Sequence, residues 1–348
     1  MSTAFSIDLP AVPRPNRRPR PCALLTGLLL AGSLVSLATT ASADAELRAA
    51  ALVVIQPLPD SMPGAEHDTA AGIALGKALY FDTRLSENHS QSCNTCHRVD
   101  DNLAGMDNEP TSPGAFAKRG DRNSPTVWNA GFHLAQFWDG RAEDLVEQAK
   151  GPVLNPVEMA MPSEAVVVER LEAAPEYPEL FRKAFPGDAN PINYDNMAHA
   201  VAAFERTLIS RDRFDDFLNG QDVALTSKEK QGLKVFLDSG CTTCHNGPVM
   251  GANAYHKSGL VNPYEFQKDK GRFDATQDED DLHKFKVPSL RNVALTYPYF
   301  HDGKVPDLND AVRRMGWMQL GTEFAQPDVD LLVAFLTSLN GKGLKPVK

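Results

Sequence analysis

Two short stretches of this chain group residues for chemistry: Cys93-Asn94-Thr95-Cys96-His97 and Cys241-Thr242-Thr243-Cys244-His245. Cys-x-x-Cys-His is the attachment signature of a c-type haem. Two intervening residues let one turn of backbone present both sulfurs to the porphyrin vinyl groups. The adjacent His then reaches under the ring as proximal iron ligand. A single copy also suits a zinc half-site or a thioredoxin-like redox pair. Two copies, with no other cysteines at zinc-ligand spacing, point to two covalently bound haem c groups.

The N-terminus says where such chemistry takes place. Arg17, Arg18 and Arg20 form a positive segment, Ala23 to Ala38 is an apolar run, and Ala41-Ser42-Ala43 has small-residue cleavage character. This is a secretory signal peptide over residues 1–43, with Asp44 as the expected mature N-terminus. A membrane anchor needs about 20 apolar residues and no cleavage motif. Cys22 precedes the apolar run, a poor position for lipidation, and leaves with the signal. All four remaining cysteines lie in the haem motifs, so no structural disulfide is expected although the compartment permits one. Haem c is attached outside the cytoplasm, so the bacterial periplasm is the expected location, without membrane insertion. The formal net charge of −10 becomes −13 once four Arg and one Asp are removed. Such acidity disfavours nucleic acid or an anionic membrane as partner, and permits a basic electron-donor protein.

The elements that must position these motifs repeat. Gly76-Lys77-Ala78-Leu79-Tyr80-Phe81-Asp82 precedes the first motif, and Gly232-Leu233-Lys234-Val235-Phe236-Leu237-Asp238 precedes the second. Downstream, Pro125-Thr126-Val127-Trp128-Asn129 matches Pro288-Ser289-Leu290-Arg291-Asn292, and Phe137-Trp138-Asp139-Gly140-Arg141 matches Phe300-His301-Asp302-Gly303-Lys304. One offset of 163 residues relates these downstream positions. This pattern reads as a duplicated mono-haem unit. Helical periodicity marks Thr69 to Phe81, Glu164 to Ala173, Asn193 to Thr207 and Asp328 to Leu339. Thr226-Ser227-Lys228-Glu229 is a capping box opening a further helix. Strand signals are few. The expected fold is all-α: two cytochrome c-like haem domains, an N-terminal one over 44–210 and a C-terminal one over 211–348.

The copies diverge where a second iron ligand is needed. Met315 stands past the repeated Asp302-Gly303 block, while the matching position of the first half is Pro152. Met318 is an alternative ligand, and Met106, Met159 or Met161 would each close the first haem. Without one of them the first iron is open, and Gln148 and Glu158 lie in the same region. An open iron beside a carboxylate suits peroxide chemistry. Glu158 would move a proton from the inner to the outer oxygen of H2O2, and Gln148 would orient the bound peroxide. Spacing alone favours a solvated loop carboxylate and a surface amide.

Across nearly the whole mature chain these residues resemble the bacterial di-haem cytochrome c peroxidases. The likeness is carried by the first haem motif, Arg122 to Val127, Ala135 to Leu145, Gln148 to Val153, Val157-Glu158-Met159, Leu290 to Thr296 and Pro298 to His301. By that resemblance His97 serves the peroxidatic haem, and His245 with Met315, preferred over Met318, serves the electron-transferring one. Glu158 and Gln148 match the distal pair, and Trp138 matches the tryptophan between the haems. The resemblance also implies one Ca2+, bound by the Asn123 side chain and the carbonyls of Thr296 and Pro298, with oxygen-only ligation. It further implies H2O2 as substrate, a small cytochrome c or copper protein as donor, and often a homodimer.

One position departs from the family pattern. Many relatives carry a His in the loop before Arg122, which caps the peroxidatic iron when fully oxidised; here Ala115 stands there. The expectation is a first haem open without prior reduction, with His133 as a possible substitute cap. Two rival readings are a non-enzymatic di-haem electron carrier and a di-haem oxidase that matures a partner protein's cofactor. The latter enzymes place Tyr where Met315 stands.

Overall fold

The computed structural model describes residues 43–347 of the 348-residue chain. The expected signal peptide, apart from Ala43, lies outside the described residues. Helix α1 (43–52) is followed by α2 (Ala70–Tyr80), the single turn α3 (Cys93–Cys96), α4 (Leu145–Leu154), α5 (Glu164–Ala173), α6 (Tyr177–Ala184) and α7 (Tyr194–Glu205). Then come α8 (Arg213–Leu218), α9 (Ser227–Asp238), β1 (Tyr255–Lys257), α10 (Phe273–Thr276), β2 (Lys284–Lys286), α11 (Leu308–Met315) and α12 (Gln326–Ser338). Among the described residues no helix is long and apolar enough to cross a membrane.

Local chemistry sets the helix starts. The Thr69 hydroxyl accepts the Gly72 N–H at 3.0 Å and opens α2. At α9 the capping box closes both ways: Thr226 N–H donates to Glu229 at 2.7 Å, and Glu229 N–H donates to the Thr226 hydroxyl at 3.3 Å. Ser163 and Asn193 cap α5 and α7. The fold is helix-rich but departs from an all-α reading in one ribbon. There β1 and β2 pair antiparallel, with His256 opposite Phe285.

Two helix crossings position the two motifs. In α2 a Cβ at Gly76 would lie 1.8 Å from the Ala200 carbonyl oxygen of α7; in α9 one at Gly232 would lie 2.0 Å from the Leu331 carbonyl oxygen of α12. Only glycine lets the backbones approach so closely. Further matched geometry follows downstream. Asn129 and Asn292 both adopt left-handed backbone, with φ of 65° and 66°, and both side-chain amides donate to the Ser210 hydroxyl at 2.8 Å. Isolated bridges join Gln136 to Ala142 and, at the corresponding positions, Tyr299 to Val305.

The apolar core falls into two principal clusters. One gathers α2, α4, α5, α6 and α7; the other gathers α8, α9 and α12. Leu47, Ala51 and Ile55 pack in the second cluster, although their segment precedes the first motif in sequence. At the other end Lys345 returns to the first half, its carbonyl accepting the Ala104 N–H at 2.9 Å. Where the chain passes between clusters, buried Arg291 pairs with Asp212 at 2.6 Å and Asp215 at 3.0 Å, and bonds the Pro248 carbonyl. Removing one partner of such a group would strand a buried charge, at a cost of about 3–5 kcal/mol.

Candidate active site

Cys93 and Cys96 occupy the two ends of one helical turn, anchored at its start by the Ser92 N–H on the Thr95 hydroxyl at 2.9 Å. Asn94 ties the turn to the next one, donating to Asp100 and accepting from the Val99 N–H, both at 2.9 Å. The His97 carbonyl accepts from the Tyr80 hydroxyl at 2.6 Å, so α2 holds the histidine's backbone. His97 Nδ1 lies 2.9 Å from the Pro125 carbonyl. An Nδ1–H donated there leaves the Nε2 lone pair for a metal. Burial pulls its pKa down, favouring that neutral form.

The second motif is built alike. His245 Nδ1 lies 3.2 Å from the Met250 carbonyl, and burial lowers its pKa to about 4. The four cysteines of the two motifs are free. Burial pushes the thiols of Cys96 and Cys241 up to about 11, and raises those of Cys93 and Cys244. A redox Cys-x-x-Cys needs the opposite, a thiol held below its ordinary pKa. Half-buried thiols of raised pKa, with a histidine offering Nε2, suit thioether attachment to haem. The Glu205 carboxyl, 6% exposed, is pushed up to about 8 by burial, and its charge when ionised raises the Cys93 thiol further.

A cavity of about 460 Å³ surrounds the second motif. Cys241, Cys244, His245 and Met315 line it, and so does Met106. Met315 ends α11 and leads into a π-helical turn, Gly316–Leu320. Met318 within that turn is buried, is not among the lining residues, and its carbonyl accepts from Val261 and Asn262. Met159 and Met161 belong to the first core cluster.

The same cavity reaches Trp138, Asn123, Thr296 and Pro298. Trp138 donates its indole N–H to the Asn123 carbonyl at 2.9 Å and meets His301 edge-on at 6.4 Å. Asn123 spends its amide on the carbonyls of Glu109 and Pro110, at 3.0 and 3.3 Å. Asn108 braces the neighbouring strand of chain, donating to the carbonyls of Leu295 at 3.0 Å and Tyr297 at 2.6 Å. The alternate carbonyls, those of Thr296 and Pro298, accept from no donor among the described residues, and neither does Asn123 Oδ1. Three uncommitted oxygens bordering one cavity fit a hard cation such as Ca2+. No spacing in the sequence pointed to Asn108.

Glu158 follows α4 and stands apart from that cavity. Asn155 donates to its carboxylate at 2.9 Å, and its backbone carbonyl accepts the Ala115 N–H at 2.7 Å. Burial raises its pKa, against opposing contributions from Arg141 and the Asn155 bond. Its charge is felt at the Cys96 thiol, which associates it with the first motif. Gln148 sits on α4, half-buried, and no hydrogen bond joins it to Glu158 among the described residues. The Ala115 loop is docked on this segment: the Asn88 amide donates to the Ala115 carbonyl, and a Cβ at Gly114 would lie 2.1 Å from the Val157 carbonyl oxygen. His133 lines the cavity beside Trp138, with its Nδ1 3.0 Å from Lys286 Nζ.

Comparison with known proteins follows the same lines. Residues 70–223 match the family described as di-haem cytochrome c peroxidase. The chain is 49% identical to cytochrome c551 peroxidase of Pseudomonas aeruginosa, over 90% of this chain and 92% of that protein. It is 45% identical to cytochrome c551 peroxidase of Nitrosomonas europaea, over 82% and 84% respectively. Methylamine utilization protein MauG of Methylorubrum extorquens is 37% identical, over 78% and 76%. Among solved structures, a MauG-like protein associated with microbial copper homeostasis superposes with a TM-score of 0.73 at 27% identity, covering 82% of this chain and 94% of that one.

Proposed function

The chain belongs to the di-haem cytochrome c peroxidase family, and from that membership we propose that it works in the periplasm, reducing H2O2 to two waters. Two protons and two electrons are consumed, the electrons coming singly from a small cytochrome c or copper protein. Bound haem supplies iron coordination and the electrons that split the O–O bond. The chain's own residues do the rest. His97 offers Nε2 on one side of the first centre. Glu158 takes a proton from the inner peroxide oxygen and returns it to the outer one, so that water leaves. Gln148 orients the peroxide by hydrogen bonding. His245 and Met315 hold the second centre, and Trp138 lies on the path between the two. The carrying observation is Glu158: a half-buried carboxyl with a raised pKa, fixed by Asn155 beside the first motif.

The duplicated-unit reading, with its boundary near residue 210, is supported by the matched glycine crossings and by Ser210, which receives both Asn129 and Asn292. Leu260, Val261 and Trp317 are exposed beside Gln319 and Leu320, which line the cavity around the second motif. That apolar patch suits transient docking of a small donor. Mixing the haem-loaded protein with reduced donor and H2O2 should oxidise two donor molecules per peroxide. Donor oxidation no faster than the uncatalysed background would refute the peroxidase reading.

Asn123, Thr296 and Pro298 would bind Ca2+ through the three uncommitted oxygens, with water completing the shell. Asn123→Ala should weaken calcium binding by at least about tenfold in a titration of chelator-treated protein. Unchanged affinity would place the ion elsewhere.

A further inference from the structure

The cavity beside Trp138 contains a buried cation to which the chain supplies no anion. Lys286 closes β2, is 8% exposed, and donates its backbone N–H to the Trp138 carbonyl at 2.7 Å. Its Nζ lies 3.0 Å from His133 Nδ1. Among the described residues no carboxylate pairs with it. Asp139, whose field does reach it, is already paired with Arg122 and Arg141. An ammonium N–H donated to Nδ1 leaves the imidazole proton on Nε2, and that Nε2 is buried without a partner. The Nε2–H therefore stands without an acceptor and the ammonium without a counter-anion, an arrangement that costs stability unless something fills it. Both residues line the cavity shared by Cys241, Cys244, His245 and Met315.

Resting on the haem reading of the second motif, we propose that Lys286 and His133 form a carboxylate-binding site for a propionate of the haem held by Cys241 and Cys244. A porphyrin fixed by two thioethers carries two carboxylates, and a carboxylate taken out of water needs a cation and hydrogen-bond donors. The ammonium and the Nε2–H supply both. Burial draws the Lys286 pKa down to about 7 even with the Asp139 field opposing the fall, and a bonded carboxylate would oppose it further. Lys286 is thus a positioning residue whose charge also favours the reduced state of the adjacent centre.

The test is an optical redox titration of the haem-loaded full chain, with haem counted by pyridine haemochromogen. Lys286→Met and Lys286→Gln should keep two haems per chain while the potential of the His245–Met315 centre falls by about 59 mV, tenfold in its one-electron equilibrium. Lys286→Arg should retain the wild-type potential. Gln keeps a donor for His133 Nδ1, so it carries the test if the Met variant does not fold. Wild-type potentials in both Met and Gln variants would overturn the site, as would an Arg variant that falls as far as Met. A wild-type potential that shifts with added phosphate would also overturn it, because a solution anion would then occupy the site. Fewer than two haems in the wild-type chain would remove the haem reading itself, a failure distinct from two haems with unmoved potentials.

Discussion

Glu158→Ala should lower kcat/KM for H2O2 by about 10²–10⁴, the range for loss of a general acid–base group. Haem content should stay unchanged, because Glu158 is not bonded to either Cys-x-x-Cys-His motif. The wild-type rate should also carry an acid limb. Glu158 must be ionised to accept the first proton, and burial raises its pKa above the ordinary 4.5. Activity therefore falls as pH drops through that raised value, and Glu158→Gln should abolish the limb together with the rate. Arg141 opposes the rise, so Arg141→Ala should move the limb to higher pH. Retention of wild-type turnover within about threefold in Glu158→Ala, well inside the expected loss, would return the carboxyl to a structural role.

Fully oxidised wild-type protein should react with H2O2 as promptly as a sample pre-reduced by one electron. Ala115 has no atom able to bind iron, yet its backbone is pinned beside Glu158 through the Ala115 N–H and the Asn88 amide. A side chain at this position is therefore carried on the segment that neighbours the first centre. Ala115→His should restore a cap. If the capped form is favoured 99:1, about 1% of the oxidised protein is competent and its initial rate falls roughly a hundredfold. One-electron pre-reduction should recover that rate. Peroxide must be mixed before any donor, so that turnover does not activate the sample first. A lag in the wild-type protein that pre-reduction removes would show that another residue closes the first centre.

Much of this protein follows from short-range pattern. Two pentapeptides define both haem motifs because thioether spacing and the proximal His are matters of one helical turn. The starts of α2, α5, α7 and α9 were legible for the same reason, since a cap bonds an N–H two or three residues away. Repeated downstream motifs were visible at a constant offset; Glu158 and Gln148 were singled out where those repeats diverge, and their roles, like that of Trp138, came through resemblance. Other features depend on residues far apart in the chain. Helix α1 packs with the second cluster because Ile55 and its neighbours find apolar partners there, not in the half that follows them. The choice of Met315 over Met318 at the cavity wall depends on how a π-helical turn rotates its side chains. The carbonyls of Thr296 and Pro298 are freed by Asn108, almost 190 residues earlier, which engages their neighbours. Lys286 and His133 meet across 153 residues, and nothing local in either segment marks a buried cation. Sequence by itself determined the chemistry attached to the chain, because covalent spacing and capping are local. Tertiary structure alone decided which oxygens, donors and charges face one another, because burial and pairing arise only when distant segments converge.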